Sequence, residues 1–422
     1  MFKQYFKQAI HALRENRLTS VVSILGTMLS VAMILVVVLQ FQIKLVGYSP
    51  VSKRDRMLYI YSVNTKSKDG SENNNTGLSA ETIRECLYTL KKPEAVTVTA
   101  QNSHVISIPG KRLFEEYTVY YTDPAFWKVF DFKFLSGKPF TEADFNSGLP
   151  HVVISDKLAG ILFGTQDVVG RDILVNNVMP CTIAGVVKRP SKAASEAFAD
   201  VWMPYTANTL YTNSGGCDGM CGPFGAEILA HKLSDIDSIY AEIQQGVARY
   251  NAGKADFILT IPKPFTHLEL ALGSGSRYGY NRVGWGEYLK TTGWVLLFLL
   301  VPTLNLTGIV QSAVQKRRPE MGLRKAFGAT GERLFTQVVC ENLIITLIGG
   351  VLGVGLSVVL LYVGRSFLLT KDTVITFGML FQPLLFVAAL FFTLVLNVLS
   401  SGLPAFRIAR ERIVESLKDA NV

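Results

Sequence analysis

The sequence lacks the short motifs by which many soluble enzymes are recognised. It contains no GxxxxGK[ST] phosphate loop, because its three Gly-Lys pairs are followed by Arg, Pro and Ala. HExxH, GxSxG and CxxC are absent as well. The five histidines, at positions 11, 104, 151, 231 and 267, do not have the spacing of metal ligands. We therefore expect no ATP hydrolysis, cofactor or metal in this chain, and an enzymatic site would need residues far apart in the sequence.

Cysteine is also scarce, with five residues in a chain of 422. Cys340 lies in an apolar segment, which favours an inert, packed thiol. Cys217 and Cys221 lie close enough in a Gly-rich loop to form a local disulfide bond. Two thiols without a nearby histidine make a poor metal site. A disulfide is permitted, though not required, if this loop is extracytoplasmic.

The middle of the chain lacks an excess of charge of either sign. Residues 47–291 contain 25 Lys and Arg and 25 Asp and Glu, although the formal net charge of the whole chain is +9. The surplus lies mainly in residues 1–18, in residues 316–333 and in the C-terminal tail, beside long apolar runs. Basic residues in such places are typical of membrane topology, and this distribution argues against a nucleic-acid partner.

Four apolar runs have the roughly 20 residues needed to cross the hydrocarbon core of a bilayer. The first could instead be a cleaved signal peptide, but its apolar run exceeds the usual h-region and no small-x-small site follows it. The predicted segments are a cytoplasmic amphipathic helix at 1–18, transmembrane helices at 19–46, 292–315, 334–363 and 382–402, an extracytoplasmic domain at 47–291, a basic cytoplasmic loop or helix at 316–333, an extracytoplasmic loop at 364–381 and a cytoplasmic tail at 403–422.

The basic clusters predict the orientation of these segments. In residues 2–17, Phe2, Phe6, Ile10 and Leu13 share one helical face beside basic side chains, which is typical of a helix lying at the membrane surface. The charge of this helix places the N-terminus in the cytoplasm. Four spans then bring the 316–333 loop and the C-terminal tail to the same side, so all three basic clusters agree.

The middle region is predicted to be an α+β domain. The run 57–63, MLYIYSV, alternates like a strand, and Ser79 precedes a helical pattern that ends at Pro93. Two strand-like runs, 172–175 and 179–187, flank Asn176-Asn177 and predict a hairpin. Ser234 and Asp237 predict the capped start of a second helix.

The loop between the second and third predicted spans is the most distinctive part of the sequence. Between Lys316 and Arg333 it contains six Lys or Arg and two acids. The charges alone could be only a topology signal. However, residues 317–329, RRPEMGLRKAFGA, match the pattern R-x-x-E-(I/M)-G-(I/L)-R-(K/R)-A-x-G-A. This motif resembles the MacB/LolC/FtsX-like permeases of ABC transporters.

The middle region carries a second, more diffuse resemblance. The runs 120–130, YYTDPAFWKVF, and 135–141, LSGKPFT, together with 152–155, 162–164, 169–170 and 183–187, are similar to the MacB-type periplasmic core domain. The resemblance implies a mixed α/β subdomain with an inserted, mostly β subdomain. The matching residues are turn glycines, core aromatics and strand residues, so they indicate a fold rather than a polar binding site.

The resemblance implies a permease subunit of an ABC complex in a bacterial inner membrane. A separate ATPase dimer would bind ATP and Mg²⁺ and dock on the 316–333 loop. Four spans are few for a translocator, so a second copy or a homologous permease is expected, in contact with membrane lipids. A periplasmic adaptor or an outer-membrane channel is left open, as is the substrate. The docking residues implied by the motif are Arg317, Arg318, Glu320, Gly322, Arg324, Lys325, Gly328 and Ala329.

Two other functions compete with transport. In an FtsX-type role the complex transports nothing and instead switches an extracytoplasmic hydrolase or partner. The chain could also be a membrane-anchored enzyme or receptor without an ATPase, in which case the motif would be coincidental. Co-purification of an ATPase separates the last reading from the other two.

Small residues recur in the third predicted span. Gly349, Gly353 and Ser357 follow one another at four-residue intervals, so they share one helical face. Small residues on one face allow transmembrane helices to pack closely. The sequence leaves open whether that partner helix belongs to the same chain or to another subunit.

Overall fold

The structure, a computed structural model, describes most of the middle region and parts of the predicted spans. The described residues are 17–110, 115–213, 216–272, 330–364 and 386–395, with short pieces at 286, 289–290, 292–294, 296–297, 323 and 326–327. They divide into two compact units, one of residues 44–288 and the other of residues 1–43 and 289–422.

The helices and strands of the described residues are numbered in chain order. The α-helices are α1 Arg17–Leu45, α2 Ala80–Cys86, α3 Phe126–Val129, α4 Glu142–Asn146, α5 Asp156–Phe163, α6 Thr209–Thr212, α7 Ile236–Ala252, α8 His267–Leu272, α9 Gly331–Val363 and α10 Phe386–Val395. The strands are β1 Met57–Ile60, β2 Val63–Ser67, β3 Asn73–Leu78, β4 Ala95–Ser107, β5 Glu116–Thr122, β6 Phe134–Gly137, β7 His151–Ser155, β8 Asp172–Val175, β9 Met179–Val187, β10 Val201–Pro204, β11 Cys221–Gly222, β12 Gly225–Leu229, β13 Phe257–Thr260 and β14 Phe265–Thr266. Short 3₁₀ turns lie at Arg54–Arg56, Tyr205–Ala207 and Leu233–Asp235.

Two helices of the first unit are long and apolar enough to cross a membrane. Their apolar parts are Ser20–Leu45 in α1 and Val339–Val363 in α9. Helix α10 is apolar but shorter, and it covers only part of the fourth predicted span. Almost all of the second predicted span lies outside the described residues. The prediction of four spans therefore stays a prediction.

The strands of the second unit form two sheets. A ten-stranded mixed sheet has the order β14-β1-β12-β4-β5-β10-β7-β9-β6, and β8 pairs with β4 and β9. Within it the pairs β5–β10 and β7–β9 are parallel. The second sheet has the order β11-β3-β2-β13 and is antiparallel. With helices packed against these strands, the α+β class predicted for this region is confirmed.

The ten-stranded sheet is buried on both faces around β1. Leu58 and Ile60 join one apolar core with Ile83 of α2 and Ile243 of α7. Met57 and Tyr59 join a second core, which contains many aromatic side chains. Alternate residues of a strand point to opposite faces, so all four residues of β1 are buried. This explains why the run at 57–60 is apolar at every position.

The local patterns that predicted elements are confirmed in most cases. The Ser79 hydroxyl accepts a hydrogen bond from the Thr82 amide at the start of α2. Asn176 and Asn177, with φ of 55° and 60°, form the turn between β8 and β9. Such left-handed conformations are tolerated best by Gly, Asn and Asp, which is why the Asn pair is informative. The capping prediction at Ser234 is wrong, because α7 begins at Ile236 after a 3₁₀ turn that places Asp235 at its N-cap.

Candidate coupling sites

The docking residues predicted from the basic motif lie outside the described residues. These are Arg317, Arg318, Glu320, Gly322, Arg324, Lys325, Gly328 and Ala329. Three positions within the motif are described, namely Leu323, Ala326 and Phe327. The Phe327 amide donates a hydrogen bond of 3.1 Å to the Leu323 carbonyl, which is the spacing of one α-helical turn.

This turn carries two large apolar side chains that are exposed. Leu323 is 52% exposed and Phe327 is 85% exposed. Residues four apart in a helix lie on the same face, so the two side chains form one apolar ridge among basic residues. Helix α9 begins at Gly331, only four residues after Phe327. The turn therefore lies just before a long apolar helix in the sequence.

The small residues predicted for helix packing face α1 of the same chain. A Cβ atom added at Gly349 would lie 2.8 Å from Thr27 Cβ and 3.0 Å from the Ile24 carbonyl oxygen. A Cβ atom at Gly353 would lie 2.8 Å from the Met28 carbonyl oxygen. Both glycines are therefore required for the close approach of α9 to α1. Of the two partners that the sequence left open, the structure shows one within the chain.

The other small residues of α9 differ in their surroundings. Ser357 is fully buried, and its hydroxyl donates to the Val354 carbonyl, so it makes no polar bond to another helix in the described part of the chain. A Cβ atom at Gly350 would meet Leu390 of α10. A Cβ atom at Gly355 would have no atom within 4 Å. Gly349 and Gly353 thus face α1, Gly350 faces α10, and Gly355 faces open space.

Both helices also bury polar side chains that the sequence reasoning did not single out. Ser20, Ser23, Thr27 and Ser30 of α1 are buried and recur at three- and four-residue intervals. Helix α9 contributes further buried polar residues, including Glu341, whose carboxylate accepts a 3.1 Å bond from Gln337. Ionisable residues within apolar helices are costly and are often functional. The helical periodicity of the serines was visible in the sequence.

The two cysteines of the Gly-rich loop are joined by a disulfide bond in the structure. Cys217 and Cys221 have Cα atoms 5.5 Å apart, within the range typical of disulfides. Cys217 and Asp218 both have left-handed backbone conformations, which turn the chain back on itself between the two cysteines. The bridge lies beside β2 and β3, because the Asn74 amide contacts Cys217 Sγ and the Thr65 hydroxyl contacts Cys221 Sγ. This bond holds the loop against the four-stranded sheet.

A buried ion pair lies where the chain passes into the second unit. Arg54 and Glu196 are each only 2% exposed in their side chains. Arg54 Nε donates to Glu196 Oε1 over 3.0 Å, and Nη2 donates to Oε2 over 3.1 Å. Burial alone would raise the pKa of Glu196, but the adjacent guanidinium outweighs it and the net pKa is lowered. The pair is therefore ionised.

His267, the first residue of α8, adjoins this pair. Its Nε2 lies 2.8 Å from the Lys44 carbonyl oxygen, which only accepts, so Nε2 carries a proton. Its Nδ1 lies 3.1 Å from the Tyr59 hydroxyl and 3.5 Å from Glu196 Oε1. Burial lowers the pKa of His267, partly opposed by Glu196, so the ring is neutral and Nδ1 accepts from Tyr59. Sequence reasoning treated His267 as unremarkable, and no local pattern connects it with Arg54 or Glu196.

Among the residues described, no group of three or more His, Cys, Asp or Glu could hold a metal ion. The polar clusters of the second unit are instead ion pairs and hydrogen bonds that connect chain segments.

The chain matches two family models that together cover most of its length. Residues 20–249 match the MacB-like periplasmic core domain, and residues 294–413 match the FtsX-like permease C-terminal domain. The first match alone covers more than half of the 422 residues. The second covers the basic motif and α9.

Curated relatives and solved structures are similar to the same regions. The chain is 25% identical over 301 residues to the ABC transporter permease YknZ of Bacillus subtilis, covering 71% of this chain and 70% of that protein. It is 25% identical over 433 aligned positions to the macrolide export ATP-binding/permease protein MacB of Escherichia coli K12, covering 99% of this chain and 60% of MacB. The periplasmic region of MacB from Actinobacillus actinomycetemcomitans aligns with a TM-score of 0.34 and 17% identity, covering 49% of this chain and 88% of that one.

The extracellular domain of YknZ aligns with a TM-score of 0.33 and 18% identity, covering 47% of this chain and 99% of that one. The two domain matches follow one another along the sequence, with the outer domain first and the permease domain second. The chain therefore belongs to the family of ABC transporter permeases that combine a MacB-like periplasmic core domain with an FtsX-like permease domain.

Proposed function

We propose that this chain is a permease subunit that transmits ATP-driven motion from a separate ATPase to its extracytoplasmic domain. The motion would serve efflux of a substrate, or its extraction from the outer leaflet or the periplasm. The observation that carries the proposal is the exposed ridge of Leu323 and Phe327 in the basic motif, next to the start of α9. An apolar pair left open to solvent among charged residues is typical of a protein-binding surface.

A separate chain is proposed for ATP hydrolysis because these 422 residues contain no phosphate loop. MacB, which carries ATP binding and permease in its name, is matched over 60% of its length. The partner would bind ATP and Mg²⁺, and the permease would supply only the docking surface. The family supports an ATPase partner.

The packing of α9 suggests how motion would spread within the membrane unit. Gly349 and Gly353 bring α9 into backbone contact with α1. Packed helices of this kind move together, because a tight interface has few alternative arrangements. A displacement of the docking turn would therefore reach α1, the helix from which the chain continues into the outer domain. A second permease copy, homologous or identical, would complete the translocator.

The experiment is retention of the ATPase on a tagged permease. We expect Leu323→Ser with Phe327→Ser to weaken binding by roughly 10-fold or more, because burial of one such side chain contributes about 1.5–3 kcal/mol. Arg324→Glu with Lys325→Glu should abolish retention, since truncating paired interfacial charges costs about 2–5 kcal/mol. Both variants should still be expressed and inserted into the membrane.

The matched control is Lys111→Glu with Arg112→Glu, which changes the same residue types by the same charge in the middle region. It should retain the ATPase as the parent does. If both motif variants retain the ATPase fully, residues 317–329 are not the docking surface. If no ATPase co-purifies with the parent, the proposal of a coupled permease fails as a whole. If the parent does retain an ATPase, ATP-dependent efflux distinguishes transport from switching of an extracytoplasmic hydrolase.

A further inference from the structure

Three buried side chains connect the two ends of the outer domain. The chain enters the unit at Lys44 and is described to the end of α8 at Leu272. Arg54, Glu196 and His267 lie between these ends, and we call these three residues the latch. Glu196 lies 142 residues after Arg54 in sequence, within the loop that connects β9 to β10.

The latch donates hydrogen bonds to backbone carbonyls of the first connecting segment, residues 44–49, and of the β9–β10 loop. Arg54 Nη1 donates to the Val46 carbonyl over 3.2 Å, and Nη2 donates to the Ala193 carbonyl over 2.8 Å. His267 donates to the Lys44 carbonyl over 2.8 Å. Lys44 lies in the last turn of α1, where carbonyl groups have no partner within the helix. The latch therefore gives one of these carbonyls a hydrogen-bond donor at the end of the helix.

The latch also contacts the main sheet. The His267 ring shares a hydrogen bond with the Tyr59 hydroxyl of β1, and β1 pairs with β14, which leads directly into α8. The Arg54 guanidinium lies 4.8 Å above the Tyr48 ring, which adds a cation–π contact to the first segment. The segment after α1, the start of α8 and one central strand thus meet at one ionised pair.

A buried ion pair is a poor way to add stability, because desolvation of both charges offsets their attraction. An apolar pair of similar volume would serve the fold as well or better. Buried pairs are better explained where they fix one arrangement of segments. The nearby Arg189–Asp200 pair offers a comparison, since it lies on the same loop but bonds to the Thr118 amide in β5, inside the sheet.

We propose that Arg54, Glu196 and His267 form a latch. It holds the two connecting segments of the outer domain, residues 44–49 and 267–272, to each other and to β1. This inference rests on the proposed function, in which the latch transmits a displacement of either segment to the sheet. Arg54 and His267 bond to backbone carbonyl groups, and Glu196 fixes the orientation of the Arg54 guanidinium. Loosening the latch should free the segments while the rest of the domain stays folded.

The test is hydrogen–deuterium exchange of the full chain in lipid nanodiscs, without ATPase. Glu196→Gln keeps the side-chain volume but leaves the Arg54 charge uncompensated. We expect amide exchange at least 10-fold faster in residues 44–49 and 267–272, with the β4–β5 amides unchanged. The matched control is Asp200→Asn, which removes a buried acid of the same loop and should leave both segments unchanged.

His267→Ala provides a second variant that leaves no buried charge unpaired, and it should speed exchange in residues 44–49 in the same way. The inference is overturned if Glu196→Gln raises exchange evenly through the domain, if it changes neither segment, or if Asp200→Asn has the same effect. Because the ATPase is absent, these outcomes decide the latch independently of the docking surface.

A second arm uses the complex with the co-purified ATPase. ATP with vanadate should change exchange at Met57–Ile60 in the parent and not in Glu196→Gln. A response that persists in the variant overturns the role of the latch in transmission. A parent that binds the ATPase but does not respond to the nucleotide overturns the proposed mechanical function instead.

Discussion

Asp123 is a buried carboxylate that connects several segments of the outer domain by hydrogen bonds. Its two oxygens accept bonds from the Tyr88 and Thr97 hydroxyls and from the Val98 and Phe126 amides, at 2.6–3.2 Å. Burial raises the pKa of Asp123 to about 6, although the hydrogen bonds from all four donors lower it. Because the folded pKa lies above the unfolded value, its contribution to stability is largest at low pH and declines as pH rises through about 6.

At neutral pH we expect Asp123→Asn to lower the free energy of unfolding by about 1–3 kcal/mol. One carboxylate oxygen becomes an amide nitrogen, so at least one buried donor at that position loses its acceptor. Urea unfolding of the purified full chain, followed by tryptophan fluorescence, measures the change. The control Asp172→Asn, at an exposed site bonded to Thr182, should shift stability by less than about 0.5 kcal/mol. Equal shifts in the two variants would contradict this account.

At the scale of elements, α1 and α9 form the best-defined contact of the membrane unit. Their packing depends on glycines at 349 and 353 facing Thr27 and the Met28 carbonyl. In lipid the hydrophobic effect gives little attraction between helices, so close packing and polar contacts must supply it. The Thr27 hydroxyl bonds within α1, to the Ser23 carbonyl, so the close approach at the two glycines is the observed contact.

We expect Gly353→Ala to destabilise the membrane unit by about 1–3 kcal/mol, because its methyl group would overlap backbone and Val31. The matched substitution Gly355→Ala, two residues further along the same helix, meets no atom within 4 Å and should have no such cost. Titration of the purified protein with SDS, followed by a helix-specific signal, gives both values. If the two alanines behave alike, α9 does not pack on α1 through this stripe.

For the whole molecule, the main question is which parts lie on which side of the membrane. Family membership implies a membrane protein with a large outer domain, and two helices have the length and composition for spans. The orientation rests on the basic clusters at 1–18, 316–333 and 403–422. It stays a prediction from charge, together with the placement of both termini in the cytoplasm.

Cysteine labelling in intact cells tests the orientation. Val178→Cys, at an 81% exposed hairpin tip, should react with a membrane-impermeant maleimide, and Lys325→Cys should react only after permeabilisation. The background should carry Cys340→Ala, since Cys86 and Cys181 are buried and the remaining two cysteines are bridged. Reaction at position 325 in intact cells, or none at position 178, would contradict the predicted orientation.

The sequence by itself determined the features that depend on near neighbours in the chain. Apolar length predicted α1 and α9, alternation and Asn176-Asn177 predicted the β8–β9 hairpin, and thirteen consecutive residues identified the family. It also predicted that Gly349 and Gly353 lie on one packing face. These features are local because helix and strand periods and turn conformations are set within a few residues.

Only the tertiary structure decided which distant residues meet. It shows that the glycine stripe packs on α1, and it brings Glu196 to Arg54 and His267. The sequence around a charged loop residue has no periodic pattern from which its ion-pair partner can be predicted. Its burial and its pairing depend on how two sheets and a long connection pack together, and that packing is a property of the whole domain.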